Sequence, residues 1–298
     1  MNEFKPLSAE VLQGLSEELA INPAFLEKDW YATQALHILQ ELNTPAFTAI
    51  FSGGTCLSKA YGLIKRFSED LDFRVQGTEV KSRSQRRDYI NQLIDALTKS
   101  QLFKDITVRK EDQSYRAILT LTYPHVFEQE QSLRPHIKVE LIFNPVILPT
   151  QVKPVQSLAD QFLHTDNATF EVICINPIET AAEKLSALIW RTLYYKQYFD
   201  PTLLRHLYDL ASLKDLLTAN KTQFSDLLEQ IYQADQSKWQ SQYHFETLPK
   251  AIQQLHQVLV SEPKYKKAYR SFVRNMCYDT DTLSFEKALD IFRIFDKF

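Results

Sequence analysis

The sequence predicts an α+β fold: a mixed sheet with flanking helices over residues 1–176, followed by a helical domain over 177–298. Three observations carry this expectation. Strand-like and helix-like stretches interleave in the first part, and only helical periodicity follows from Ile178 onward. Glycine is scarce, at 5, while aromatics reach 12%, which favours long helices and a filled core over a glycine-punctuated barrel. Pro177 and Pro201 fall at or just before expected helix starts, where proline costs least.

The elements follow in order. Residues 8–20 and 24–42 read as helices, the second with Phe25, Leu26, Trp30, Ala35, Leu36 and Leu39 at helical spacing. Thr48–Phe51 is a short buried strand running into Ser52-Gly53-Gly54. A helix is expected from Thr55 to Lys65, and a strand from Leu71 to Val75. Residues 80–101 form an amphipathic helix with Tyr89, Ile90, Leu93, Ile94 and Leu97 on one face. Ala117–Tyr123, Ile137–Phe143 and Phe170–Ile175 read as strands, and Lys138, Glu140 and Ile142 share one side of theirs. Pro145, Pro149 and Pro154 mark a loop. Glu179–Tyr194, Pro201–Leu217, Lys221–Tyr232, Leu248–Val260, Tyr265–Met276 and Ser284–Phe298 are the expected helices of the second part.

Bulk properties narrow the function classes. At 298 residues the chain holds one large domain or two ordinary ones. A net charge of −3 excludes a protein that is a polyanion binder throughout, so nucleic acid has to meet a local basic patch. Cys56, Cys174 and Cys277 are odd in number and lack metal-ligand spacing, as expected of reduced thiols. The opening Met1-Asn-Glu-Phe-Lys5 lacks a signal peptide's order, and no apolar run approaches the roughly 20 residues of a membrane span. The expected location is the cytoplasm, without a membrane partner.

The chemistry concentrates in two short segments. Ser52-Gly53-Gly54-Thr55-Cys56-Leu57-Ser58-Lys59 joins a strand to a helix, where glycines permit a sharp turn and close approach of a ligand. The helix start offers free N–H groups to a phosphate, Thr55 adds a hydroxyl, and Lys59 follows one turn on. The spacing is not that of a Walker A loop. Next, Ser68-Glu69-Asp70-Leu71-Asp72-Phe73 places Asp70 and Asp72 on the same side of a strand. Two carboxylates about 4 Å apart repel by roughly 4 kcal/mol at an effective dielectric of 20, so the pair calls for a proton or a cation. Mg²⁺ accepts one or two carboxylates together with substrate phosphates. Glu140, at the centre of its strand, is a candidate third acid.

Phe51-Ser-Gly-Gly-Thr-Cys-Leu-Ser-Lys-Ala-Tyr61 and Arg66-Phe-Ser-Glu-Asp-Leu-Asp-Phe73 together resemble the first block of the AbiEii/AbiGii nucleotidyltransferase toxins, within the DNA polymerase β-like superfamily. Glu179-Thr-Ala-Ala-Glu-Lys-Leu-Ser-Ala-Leu188, Arg205-His-Leu-Tyr-Asp-Leu210 and Phe25-Leu-Glu-Lys-Asp-Trp30 are similar to further blocks of that family. The resemblance spans about residues 20 to 215. It implies a polymerase β-like core and Mg²⁺- or Mn²⁺-dependent transfer of NMP from an NTP. It further implies an acceptor that is RNA (such as a tRNA 3′ end) or protein, and a cognate antitoxin in a toxin–antitoxin or phage-defence system. On that basis Asp70 and Asp72 hold the metal with Glu140, and Gly53, Gly54, Thr55 and Lys59 bind the nucleotide. Lys184 and Asp209 complete the site from the helical domain, Asp209 as base or as orienter of Lys184. Glu140 departs from the superfamily, where aspartate is more usual.

Other readings of the same residues remain open. Asp209 with Arg205 at i−4 also fits a surface ion pair, and Lys184 could pair with Glu179 or Glu183. Lys264-Tyr-Lys-Lys-Ala-Tyr-Arg270, continuing to Phe272 and Arg274, interleaves cations with aromatics as an RNA-binding face does, and Lys81, Arg83, Arg86 and Arg87 form a second cluster. A γ-phosphate transferase and a non-catalytic nucleotide-binding module are the rival functions.

Overall fold

The computed structural model describes residues 5–79, 81–128, 133–165, 168–194, 199–239, 246–278 and 283–297. Met1–Phe4, read above for a signal sequence, lie outside the described residues, as do Val80 and Phe298 at the ends of two expected helices. The chain divides into two compact units: residues 1–62 with 67–175, and residues 63–66 with 176–298.

The first unit is built on seven strands: β1 (Thr48–Ser52), β2 (Asp70–Gln76), β3 (Asp105–Glu111), β4 (Arg116–Thr122), β5 (Ile137–Ile142), β6 (Gln151–Val155) and β7 (Phe170–Cys174). They form one mixed sheet in the order β3-β4-β5-β2-β1-β7-β6. β2 runs parallel to β5 and antiparallel to β1, and β7 runs parallel to β1. Helices α1 (Ala9–Leu19), α2 (Pro23–Glu41), α3 (Gly53–Lys59), α4 (Arg83–Lys99) and α5 (Leu158–Phe162) belong to this unit.

Strict alternation explains the central strands. Leu71, Phe73 and Val75 of β2, Ala117, Leu119 and Leu121 of β4, and Ile137, Val139 and Leu141 of β5 are buried in one core with Leu36 and Leu39 of α2 and Tyr89, Ile90 and Leu93 of α4. The opposite side chains (Asp70 and Asp72, Lys138 and Glu140, Arg116) line a polar, half-covered face. Burial of each large apolar side chain stabilises this layer by about 1.5–3 kcal/mol.

Four elements of this unit differ from the sequence reading, one of them the short helix α5, which it does not anticipate. β3 and β6 occupy the two edges of the sheet. β3 is largely exposed and shows no buried alternation, while β6 contains Pro154, which only an edge strand accommodates readily. The helix expected to reach Lys65 stops at Lys59, because the chain turns at Gly62 with φ +62°.

The second unit is helical: α6 (Pro177–Leu193), α7 (Leu204–Ser212), α8 (Lys214–Ala219), α9 (Lys221–Trp239), α10 (Leu248–Ser261), α11 (Pro263–Met276) and α12 (Phe285–Phe292). The single helix expected over Pro201–Leu217 is instead a 3₁₀ turn, α7 and α8. α6 starts sharply, with Pro177 in its first turn and the Asn176 side chain accepting the Ile178 N–H at 3.0 Å. Ala181, Leu185, Leu188 and Ile189 give it a fully buried stripe. Among the described residues no helix is long and apolar enough to cross a membrane.

Candidate active site

β1 and β2 are antiparallel, with Ser52 directly opposite Asp72. The chain leaves β1 at that point, so Gly53 is carried over the Asp72 side chain. Gly53 has φ +74°, and a Cβ built on it falls 2.2 Å from the Asp72 carboxylate oxygen Oδ2. The position therefore needs glycine twice, for the left-handed backbone and for the close approach. Thr55 is buried, and its hydroxyl donates to the main-chain carbonyl of Asp70. That hydroxyl, expected to face a ligand, instead ties the turn to the start of β2.

Asp70 and Asp72 point to the same face, as their i, i+2 spacing requires. Arg134, three residues before β5, grips Asp70 with Nη1 to Oδ1 at 2.7 Å and Nη2 to Oδ2 at 3.3 Å. Beneath, Glu69 pairs with Lys28 of α2 at 2.5 Å in a buried contact. Burial alone pushes the Glu69 carboxyl up, but Lys28 and the Arg134 N–H more than offset it and hold the group below the usual carboxylate range.

Glu140 lies beside Asp72 in register on the same polar face, yet its oxygens are both engaged. Arg116 Nε donates to Oε1 at 2.8 Å and Lys138 Nζ to Oε2 at 2.6 Å. Burial raises its pKa, and these two cations overcome that and lower it. Among the described residues no cluster of three or more His, Cys, Asp or Glu could hold a metal ion. Glu140, expected as a third acid, sits here at the centre of a strand-to-strand ion-pair network with Arg116 and Lys138. The pair Asp70 and Asp72 still suits a hard cation. Its donors are carboxylate oxygens, Arg134 is the cation that the described residues place on Asp70, and Mg²⁺ would take one or two such carboxylates together with substrate phosphates. Gly53 lacks the side chain that would collide with Asp72 Oδ2.

Lys59 also differs from expectation. Its ammonium meets Asp29 of α2 at 2.6 Å and the Gln156 carbonyl at 3.4 Å, with the side chain 5% exposed. Asp29 in turn accepts the Leu158 N–H at 2.7 Å. Lys59 therefore braces α3 against α2 and the entry to α5.

In the second unit Asp209 of α7 is completely buried. Arg66 binds it in two-pronged fashion, Nε to Oδ1 at 2.6 Å and Nη2 to Oδ2 at 2.7 Å, and Lys184 of α6 reaches Oδ2 at 2.9 Å. Burial opposes the Asp209 charge, and Arg66 and Lys184 outweigh it, holding the carboxyl well below its ordinary value. Such a group is a poor proton acceptor, so of its two expected roles the geometry favours the orienter. Lys184 Nζ lies 3.5 Å from His206 Nδ1. Burial first, then Lys184, drives the pKa of this histidine far down, so it stays neutral. The expected i−4 partner, Arg205, is not the arginine that grips Asp209.

A family model described as "Nucleotidyl transferase AbiEii toxin, Type IV TA system" matches residues 37–291. The chain belongs to the AbiEii nucleotidyltransferase toxin family. Nucleotidyl transfer is accordingly its enzyme class, and NTP its class of substrate. The fold of this AbiEii member is similar to that of MenT4, nucleotidyltransferase toxin Rv2826c from Mycobacterium tuberculosis H37Rv. The TM-score is 0.55 and the identity 14%, over 95% of this chain and 98% of that one. No curated protein matches it significantly.

In this AbiEii chain, Lys28, Asp29, Arg66, Glu69 and Arg134 have no role that the sequence alone assigns. One signal was available: Glu27-Lys28-Asp29 puts three charges into a helix whose flanking residues are nearly all apolar, and such charges need partners when buried. The basic clusters change as well. Arg86 is buried, donates to the carbonyls of Lys81 and Gln113, and stacks 3.7 Å from the Tyr115 ring, so it is structural. On α11, Tyr265, Tyr269 and Phe272 are buried, leaving Lys267, Arg270 and Arg274 exposed, while Lys264 lies over the Phe199 and Tyr265 rings at 5.3 and 5.1 Å and pairs with Glu262.

Proposed function

We propose that this chain moves NMP from an NTP to an acceptor hydroxyl, using a divalent cation, Mg²⁺ or Mn²⁺, held by Asp70 and Asp72. The observation that carries the reading is the approach of Gly53 to Asp72, a turn that only glycine allows beside a carboxylate that a cation–triphosphate complex could share. When bound, the metal supplies positive charge to the phosphates. Asp70 and Asp72 fix its position, Thr55 fixes Asp70 through its main chain, and the Gly53-Gly54 turn leaves room for the phosphates. Such transfers depend on positioning and charge neutralisation more than on a strong base. Lys184, oriented by Asp209, is assigned by family resemblance to the same reaction as a phosphate-neutralising group.

The exposed cations Lys267, Arg270 and Arg274 of α11 support a polyanionic acceptor, with RNA met through its phosphates. A tRNA 3′ end is the first acceptor to test, and a cognate antitoxin the expected restraint. The experiment is transfer of α-³²P label from each NTP to total tRNA, with wild type, Asp72→Ala, and a triple variant Lys267→Glu, Arg270→Glu and Arg274→Glu. Label on RNA that disappears with Asp72→Ala and drops at least tenfold in the triple variant supports the whole reading. Label on protein keeps the reaction and replaces the acceptor. Transfer that survives Asp72→Ala refutes the metal site.

A further inference from the structure

We propose that Arg134 is a phosphate-binding residue that exchanges partners: its guanidinium gives up Asp70 to the metal and takes a triphosphate oxygen instead. The proposal rests on the assignment of Asp70 and Asp72 as metal ligands.

The residue sits in a built position. Its N–H donates to Glu69 Oε2 at 3.0 Å, and its carbonyl accepts from Lys28 Nζ at 2.7 Å. The buried Lys28–Glu69 pair thus holds the main chain of residue 134 from both sides. Pro135 restricts the backbone of residue 134 further, to an extended conformation. From this anchored backbone the side chain, 38% exposed, projects to the carboxylate at the head of β2.

The contact has a consequence for any cation. Both Asp70 oxygens are engaged by one guanidinium, at 2.7 and 3.3 Å. A metal that takes Asp70 as ligand therefore competes with Arg134 for the same lone pairs. Once displaced, the guanidinium remains tethered within reach of the site, with Glu69 Oε1 3.4 Å from its Nε as a weaker hold. Its planar fork of donors suits phosphate oxygens better than a second cation's neighbourhood, and a triphosphate brings such oxygens with the metal. Competition with the metal and attraction for the nucleotide predict opposite effects of one substitution. A purely structural arginine does not produce that pattern.

The test uses Arg134→Met in the full chain. The main-chain clamp is retained, because neither of its hydrogen bonds uses the side chain. Binding of Mn²⁺ alone is read by electron paramagnetic resonance, and binding of inorganic tripolyphosphate at saturating Mn²⁺ by calorimetry. Asp72→Ala is the control, and Arg134→Lys tests the fork against the bare charge. The expected result for Arg134→Met is Mn²⁺ affinity higher by about three- to tenfold, and tripolyphosphate affinity lower by about tenfold or more. Arg134→Lys should fall between Arg134→Met and wild type in tripolyphosphate affinity. Mn²⁺ affinity that drops with Asp72→Ala but is unchanged or lowered in Arg134→Met overturns the exchange while leaving the metal site standing. Mn²⁺ binding indifferent to Asp72→Ala overturns both.

Discussion

Replacing Gly53 by alanine separates backbone strain from the geometry of the site, because Gly62 supplies a matched control. Both glycines have positive φ, +74° and +62°, so alanine at either costs about 1–2 kcal/mol for the left-handed conformation. Part of that is recovered, about 0.4–1 kcal/mol, through the stiffer unfolded chain. The net loss of about 1 kcal/mol lowers Tm by roughly 2–4 °C for a unit of this size. At Gly62 nothing lies within 4 Å of an added Cβ, and the effect should end there. At Gly53 the new methyl would lie 2.2 Å from Asp72 Oδ2 and 3.0 Å from Cγ, against an ordinary contact of 3.4 Å. The oxygen must retreat by about 1.2 Å, and misplacement by about 1 Å costs catalysis on the order of 100-fold. The assay is steady-state transfer of α-³²P label beside a thermal melt. We expect Gly62→Ala to retain activity and Gly53→Ala to lose about two orders of magnitude. Equal activities in the two variants at similar Tm would refute the claim that this turn is built around Asp72.

Two further outcomes follow from the ion-pair geometry. Glu140→Gln should leave Mn²⁺ affinity within about threefold of wild type, since both Glu140 oxygens already serve Arg116 and Lys138; a loss equal to that of Asp72→Ala would restore Glu140 as a ligand. Asp209, Glu69 and Glu140 all have depressed pKa values in the folded chain. Their stabilising contribution is complete above the unfolded carboxylate range, near pH 4, and is lost as the pH falls through and below it. Urea midpoints should therefore decline from about pH 5 downward. Asp209→Asn should cost about 3–5 kcal/mol at pH 7, because it leaves Arg66 and Lys184 poorly compensated, and less at pH 3. An equal cost at both pH values would show that the Asp209 charge is not what holds the cluster.

What could be read from sequence divides along physical lines. β2, β4 and β5 announce themselves because one face of each is buried and the other is not, which writes a period of two into the residues. β3 and β6 sit at sheet edges, where exposure on both sides or a proline erases that period. Gly53 and Asp72 were legible through residue type, since few contexts require Gly-Gly shortly before two alternating aspartates. The pairings Lys28–Glu69, Lys59–Asp29, Arg134–Asp70 and Arg66–Asp209 were not, because each joins residues far apart in the chain through contacts only the fold creates. Lys59 and Glu140 illustrate the cost. Their positions suggest ligands, and the ion pairs they make in the fold, with Asp29 and with Arg116 and Lys138, leave no trace in the local sequence.

The excursion of Leu63–Arg66 into the second unit has a consequence for biosynthesis. Arg66 is translated 143 residues before the aspartate it grips. At about 5–20 residues per second the ribosome needs roughly 7–30 s to bridge that gap. Throughout that interval the guanidinium destined for the buried cluster has no Asp209 to meet, and the helical unit cannot close. Cutting the gene at the apparent domain border would make this delay permanent, since the C-terminal fragment would carry Lys184 and Asp209 without the arginine that completes them.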